Sequence, residues 1–342
     1  MKAIRFHQHG GPEVLRYEDA PEPTLLANEV LVRVKACALN HLDLWLRGGV
    51  PGWKLEFPHI VGSDIAGEVA ETGALVRRVK KGDRVLLAPG ISCGQCEECF
   101  RGWESACRQY TLFGVFVDGG YAQYVKSPEA NVVAIPGGLN FDEAAAVPLV
   151  FITAWHMLFD RARLAPGETV LVIGAGSGVG SAAIQIAKLV SARVIATAGA
   201  DWKLERARTL GADEVINHSQ QSIFEEVRRL TDKRGVDVAL DHVGGAVFEA
   251  CFDALATGGR LVTCGMTAGA DLEVNGQALF ARQRTLLGSF MGNKAELLEA
   301  LKLVAEGRLK PVIDSALPLS EAAAAQRKME GREFFGKILL HP

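Results

Sequence analysis

The pattern of apolar and polar positions changes character once along the chain, near residue 140. Before that point, "EVLVRVKACAL" alternates from Glu29. "SDIAGEVAETG" and "GDRVLLAPG" follow as short runs between glycine-containing turns. Alternation of this kind predicts half-buried strands, and no long helical pattern interrupts them. "FDEAAAVPLVFITAWHMLFD" then reads as helical, with Pro148 as the expected break. From Glu168 onward apolar, β-branched runs ("TVLVIGA", "ARVIATA", "DEVIN", "VDVALDHV", "GRLVTCG", "TLLGSF") alternate with helical patterns. Those helices are expected over Val179–Leu189, Lys203–Leu210, Ser222–Thr231 and Val247–Leu255. Strands separated by helices in this rhythm predict an α/β fold with a doubly wound parallel sheet. A further helix over Lys294–Glu306 and a final helix and strand close the pattern. These last segments are expected to rejoin the β-rich first part.

A length of 342 residues suggests two domains, each large enough to bury a core. The net charge of −3 gives no reason to expect nucleic acid or a membrane surface as partner. "MKAIRFHQHGGPEV" lacks the apolar stretch of a secretory signal. The eighteen uncharged residues from Val170 to Ala187 contain four alternating glycines, so they predict a buried strand, turn and helix rather than a membrane span. Seven cysteines, four of them in one loop, do not form a disulfide framework. Cys37, Cys251 and Cys264 stand in apolar or small-residue surroundings and are expected as small buried side chains. A cytoplasmic location fits both groups.

The glycine-rich stretch carries the first chemical signal. "VLVIGAGSGVGSAAIQIAK" sets Gly174, Gly176, Gly178 and Gly180 between a strand and a helix. There a dinucleotide pyrophosphate can approach the backbone and meet the unpaired N–H groups of the helix start, with Gly176, Ser177, Gly178, Val179 and Gly180 as the cradle. The strict G-x-G-x-x-G spacing is absent. At the tip of the second strand, Ala198, Gly199 and Ala200 replace the acidic residue that usually holds the ribose hydroxyls of NAD. Asp201 reads as the N-cap of the following helix. Lys203 or Arg206 could then pair with a 2′-phosphate, which favours NADP over NAD.

The second signal is "CGQCEECFRGWESAC". Cys93, Cys96, Cys99 and Cys107 have the spacing of a metal site. Four thiolates close a tetrahedral shell around zinc and leave no position for substrate. An iron–sulfur cluster is the competing reading, but the fourth cysteine three residues on, followed by proline, is missing and the loop is polar.

"ALNHLDLWLRGG", "PHIVGSDIAGEVAETG", "VPLVFITAWHML" and the glycine turn, in this order, resemble the medium-chain dehydrogenase/reductase superfamily over essentially the whole chain. The quinone-oxidoreductase-like and zinc-type alcohol-dehydrogenase-like members are nearest. The resemblance implies a GroES-like catalytic domain over 1–150, completed by 288–342, and a Rossmann domain over 151–287. It also implies a homodimer or homotetramer paired through the sheet edge at "TLLGSF", and a structural zinc on the four cysteines. Zinc-dependent members hold a second zinc at the nicotinamide. The places of its ligands are taken here by Asn40, Ser63 and a position near Leu149, with Asp64 in place of a usual glutamate. Asn, Ser and Leu lack the soft or imidazole donors that zinc prefers. A substitute shell of His41, Asp43, His59 and Asp64 is a competing arrangement, although His59 also reads as a structural histidine.

Without a metal to stabilise an alkoxide, reduction of an α,β-unsaturated carbonyl is the less demanding reaction. The expected activity is therefore NAD(P)H-dependent hydride transfer to an enone or quinone. Asn40 would donate to the carbonyl oxygen, Asp43 and Asp64 would complete the site, and His41 and Thr153 would contact the cofactor. Trp45, Phe57 and Phe290 are candidate walls of an apolar substrate pocket. Two other expectations stay open: an alcohol dehydrogenase with an atypical metal shell, and a dinucleotide-binding protein without turnover.

Overall fold

The computed structural model describes residues 1–342 and divides into two compact units, Met1–Leu149 with Asn293–Pro342, and Val150–Gly292. Each unit is built on one sheet.

The first unit centres on the long strand Glu29–Ala38, whose Val30, Val32, Val34 and Ala36 are all buried. One edge of this strand pairs antiparallel with Asp64–Thr72, which continues to Arg84–Leu87 and Val132–Ala134. Its other edge is shared. Tyr124–Pro128 pairs with the first half, and the C-terminal strand Lys337–His341 pairs with the last residues. Ile313–Pro318 completes the seven strands by pairing parallel to the C-terminal one. The register has a functional consequence. Ala38 stands opposite Asp64 on one side and Leu339 on the other, so residues 40, 64 and 337 converge at one end of the sheet. A small hairpin, Gly90–Ile91 with Thr111–Leu112, carries the cysteine loop at its tip.

The second unit is a six-stranded parallel sheet. Its spatial order is Glu214–Asn217, Arg193–Ala198, Thr169–Val172, Val236–Asp241, Leu255–Thr263, Thr285–Gly288. The chain starts in the middle, moves outward to one side, returns and moves outward to the other. That is the doubly wound order, with its switch point beside Thr169–Val172. Both faces are covered by helices, so the strands are buried on both sides. Leu171, Ile195, Ile216, Ala239 and Leu261 meet Phe248 and Phe252 in the core. The segment "TLLGSF" supplies the edge strand Thr285–Gly288, as expected.

The uncharged window 170–187 resolves into the end of a strand, a turn and most of the helix Gly178–Leu189. No helix is long and apolar enough to cross a membrane. The pattern around Pro148 forms two helices, Phe141–Ala145 and Pro148–Trp155. Proline stands at the first position of the second helix, where its missing N–H costs nothing.

Candidate functional site

In the second unit, the strand Thr169–Val172 runs through a tight turn into the helix Gly178–Leu189. Ser177 caps that helix: its Oγ accepts the backbone N–H of Gly180 at 2.8 Å. Gly174 has φ +62°, which glycine adopts without strain. A Cβ on Gly180 would lie 2.3 Å from the Gly174 carbonyl oxygen, so only glycine lets the helix start this close to the strand. Gly176, Ser177, Gly178, Val179 and Gly180 thus lie in one turn at the positive end of a twelve-residue helix. A dinucleotide pyrophosphate fits such a cradle through backbone N–H groups alone.

Ala198 ends its strand buried, and the Gly199 carbonyl accepts the Ser219 hydroxyl at 3.1 Å. A Cβ on Gly199 would meet Ser219 Oγ at 3.0 Å and His218 Nε2 at 3.2 Å. Two polar side chains from the next strand end therefore crowd the tip, a proximity that no local pattern announces. The expected cap on the following helix is corrected. Ala200 is its N-cap residue, and Asp201 is its first helical residue. The Asp201 carboxylate accepts the Asn217 amide at 2.6 Å. Lys203 lies one turn into the helix with its ammonium 5.3 Å from the Trp202 ring centroid. Thr153 is buried in the helix Pro148–Trp155, and Phe290 is exposed.

In the first unit, Asn40, Asp64 and Lys337 form a water-excluded triad. Lys337 Nζ donates to Asn40 Oδ1 at 2.6 Å and to Asp64 Oδ2 at 2.8 Å. Asn40 Nδ2 donates to Asp64 Oδ2 at 3.0 Å and to the Ala38 carbonyl at 3.4 Å. The other carboxylate oxygen, Asp64 Oδ1, accepts the Leu149 backbone N–H at 2.7 Å. Asp64 is fully buried and Lys337 is 3% exposed. Ser63 Oγ donates to the Phe113 carbonyl at 2.7 Å. Lys337 was not foreseen. Its one sequence signal is a single cation in the apolar run "FFGKILL".

Asp43 sits one layer further in. Its Oδ2 accepts the Asn40 backbone N–H at 2.8 Å and the Tyr121 hydroxyl at 3.1 Å, while Oδ1 has no partner. Burial pushes its carboxyl up to about 6, and the Asn40 N–H and the Lys337 charge pull against that rise. His41 opens the helix His41–Gly48 with its ring 6.4 Å from that of Phe334. His59 is buried, with Nε2 3.0 Å from the Gly114 carbonyl, which is a structural bond. Phe57 meets the rings of Phe6 and His9 edge-on.

The four predicted cysteines converge. Their sulfurs all lie within 4.8 Å of one another, with Cys96–Cys99 at 3.5 Å and Cys93–Cys99 at 3.9 Å. Four sulfurs at a zinc–sulfur distance of about 2.3 Å form a tetrahedron with edges of about 3.8 Å. The separations are far beyond a disulfide bond. Backbone N–H groups of Cys93 and Gln109 point at Cys107 Sγ, and the Gln95 N–H holds the Cys93 thiol down to about 6. Against the Cys99 N–H, burial and the neighbouring sulfurs push the Cys96 thiol up to about 11, so without a metal the first thiolate in the cluster disfavours a second. Glu104 ties the loop to the helix Lys294–Ala305 by accepting from the Lys294 backbone N–H and ammonium, each at 2.9 Å.

Two family models match the chain. "Alcohol dehydrogenase GroES-like domain" covers residues 26–137, and "Zinc-binding dehydrogenase" covers residues 178–306. An NAD-dependent alcohol dehydrogenase of Sulfolobus acidocaldarius is 35% identical, with 99% of each chain covered. A quinone oxidoreductase of Rattus norvegicus is 32% identical over 99% of this chain and 97% of its own. A crystal structure described as an NAD-dependent alcohol dehydrogenase is 47% identical, with a TM-score of 0.96 and 100% of each chain covered.

Two substitutions probe the buried charges. Lys337→Met leaves the Asp64 carboxylate without its cation and is expected to cost about 3–5 kcal/mol of stability near neutral pH. Denaturant melts of the two proteins measure the loss. Asp43 has a folded-state pKa above its ordinary value, so the folded chain binds the proton more tightly than the unfolded one. Stability from this group is present below the ordinary carboxylate range and is lost as pH rises through about 6. Asp43→Asn keeps both accepted hydrogen bonds and removes the titration. Stability of the wild type relative to this variant should therefore fall by roughly 2 kcal/mol between about pH 4 and pH 7.

Proposed function

We propose, for an NAD(P)-dependent oxidoreductase that belongs to the medium-chain dehydrogenase/reductase superfamily, the reduction of an enone or quinone at a site without a catalytic metal. The observation that carries this reading is the engagement of the donor set. Both oxygens of Asp64 accept hydrogen bonds, one from Leu149 and the other from Asn40 and Lys337. The Ser63 hydroxyl donates to a carbonyl, and Leu149 contributes only its backbone N–H. None of these groups offers zinc a soft or imidazole donor.

A nicotinamide dinucleotide held by the glycine turn 176–180 would supply the hydride. The chain must then hold the negative charge that develops on the substrate oxygen. Asn40 is the group proposed to do so. Of its two amide bonds, the one to Ala38 at 3.4 Å is the weaker and can be exchanged for a substrate oxygen. The bond to Asp64 keeps the side chain in place. The Lys337 ammonium on Asn40 Oδ1 draws electron density from the amide and strengthens its N–H as a donor. Asp43 fixes the Asn40 backbone, and Asp64 holds the amide against Lys337. His41 and Thr153 are proposed as cofactor contacts.

NADPH is the proposed cofactor, although similar proteins carry NAD in their names. Support comes from the strand tip, where Ala198 and Gly199 present no carboxylate and Asp201 is bonded to Asn217. Lys203 is the cation nearest in sequence for a 2′-phosphate. One zinc per chain is proposed on Cys93, Cys96, Cys99 and Cys107, where it would cross-link the loop. A homodimer or homotetramer, joined along the edge strand Thr285–Gly288, and a cytoplasmic location complete the reading. The partner expected at the site is a small carbonyl compound; neither nucleic acid nor membrane is part of the proposal.

Purified protein is expected to oxidise NADPH faster than NADH with a panel of enones and quinones; no oxidation of either cofactor sinks the proposal. Metal analysis should find one zinc per chain. Two would favour an alcohol dehydrogenase with an atypical second shell, and nucleotide affinity without hydride transfer would favour a binding protein. Cys96→Ser should lose the zinc and loosen residues 90–110 more than the second unit, as read by proteolysis and thermal melts.

A further inference from the structure

One histidine lies against the cofactor turn without having been assigned to it. His242 follows the strand Val236–Asp241, and its Nε2 is 2.8 Å from Ser177 Oγ. A Cβ on Gly174 would lie 2.8 Å from His242 Cε1, so the imidazole packs directly on the glycine turn. The backbone that carries it is fixed. The buried Asp241 carboxylate accepts the N–H groups of Val243 at 2.8 Å and Gly244 at 3.1 Å, and the Thr263 hydroxyl at 3.0 Å.

Ser177 Oγ accepts from Gly180 with one lone pair and keeps its proton and a second lone pair for the ring, so it can donate to Nε2 or accept from it. A neutral imidazole protonated on Nδ1 accepts the Ser177 proton at Nε2. Burial holds the ring's pKa below its ordinary value, opposed by Asp241 and by the carbonyls of His242 and Gly174. Among the neighbours, Asp241 is the only carboxylate. Cys264, at the end of the adjacent strand, is a neutral thiol pushed up to about 12 by burial. The turn 173–180 and the segment 264–269 contain no charged residue.

We infer that His242 is a dinucleotide-binding residue that takes up a proton from solvent when the pyrophosphate is seated at the turn. This rests on the reading of the glycine turn as the cofactor cradle. A single hydroxyl separates the imidazole from the helix N-terminus, and the bound pyrophosphate brings two negative charges to that end. The imidazolium reverses the Ser177 bond, donating from Nε2 to Oγ, and frees the serine proton to point toward the ligand. By linkage, a ligand whose binding takes up a proton binds more tightly as pH falls.

The test uses NADH, which lacks the 2′-phosphate that titrates near neutrality. Calorimetric titration of the full chain, in two buffers of different ionisation enthalpy, counts protons directly. At about pH 6.5 the wild type should take up roughly half a proton per NADH, and affinity should rise about three- to tenfold between about pH 8 and pH 6. His242→Gln, which retains a polar group but cannot titrate, should show no uptake and a flat pH profile; His242→Asn serves if the glutamine variant does not fold. NADH binding without proton uptake in the wild type, or uptake unchanged in either variant, overturns the role of His242 and leaves the cofactor reading intact. If NADH does not bind, NADPH is titrated in its place, with His242→Gln as the blank for protons taken up by its 2′-phosphate; absence of binding by both nucleotides at every pH overturns both.

Discussion

The Lys337 ammonium and the Asp64 carboxylate lie 2.8 Å apart, both shielded from water, where three strands distant in sequence come together. Removing either charge from water costs several kcal/mol, and neither can remain unpaired in that place. The register of the first unit must therefore deliver both at once. It does so because Ala38 stands between Asp64 and Leu339, with Lys337 two residues away on the C-terminal strand. A slip by one residue along either pairing would turn one charge to the opposite face of the sheet and leave the other uncompensated. Asn40, just beyond the same strand, is held by both ions and by the backbone bond to Asp43.

Electrostatic preorganisation in this unit thus rests on the chain's own side chains. The same chain contains a separate set of four sulfurs whose geometry suits a closed tetrahedral shell. The two sites are built on opposite principles. Thiolates of that set would be held by a metal ion bound among them, whereas the triad is complete in itself. The medium-chain dehydrogenase/reductase fold accommodates both because the sheet of the first unit positions the triad and a peripheral hairpin positions the sulfurs.

The second unit follows a different logic. Its turn exposes backbone N–H groups, and its glycines are required by contact distances rather than by chemistry of their own: a Cβ at 180 would collide with the carbonyl at 174. Side chains enter from elsewhere in the sheet. His242 reaches the turn from the neighbouring strand, and His218 with Ser219 crowd the tip at Gly199 from the strand on the other side. A parallel sheet gathers the C-terminal ends of all its strands on one edge, so residues distant in sequence meet there.

Sequence alone determined the features whose physics is local. Alternating apolar positions placed Glu29–Ala38, and β-branched runs spaced by helices placed the six strands of the parallel sheet. Glycines at the strand-to-helix turn and cysteines within fifteen residues marked two sites, because a few consecutive residues suffice to build each. The tertiary structure decided the rest. Lys337 joins Asn40 across 297 positions, and no spacing rule connects them; only the strand register does. The Asn40 amide, an isolated polar group when read along the chain, donates in the fold to Asp64 at 3.0 Å and more weakly to Ala38 at 3.4 Å. Asp201 was misjudged by one position because capping depends on where the backbone turns helical, which neighbouring packing sets. Hydrogen-bond partners of buried polar groups are a property of the folded interior, and a linear pattern does not encode them.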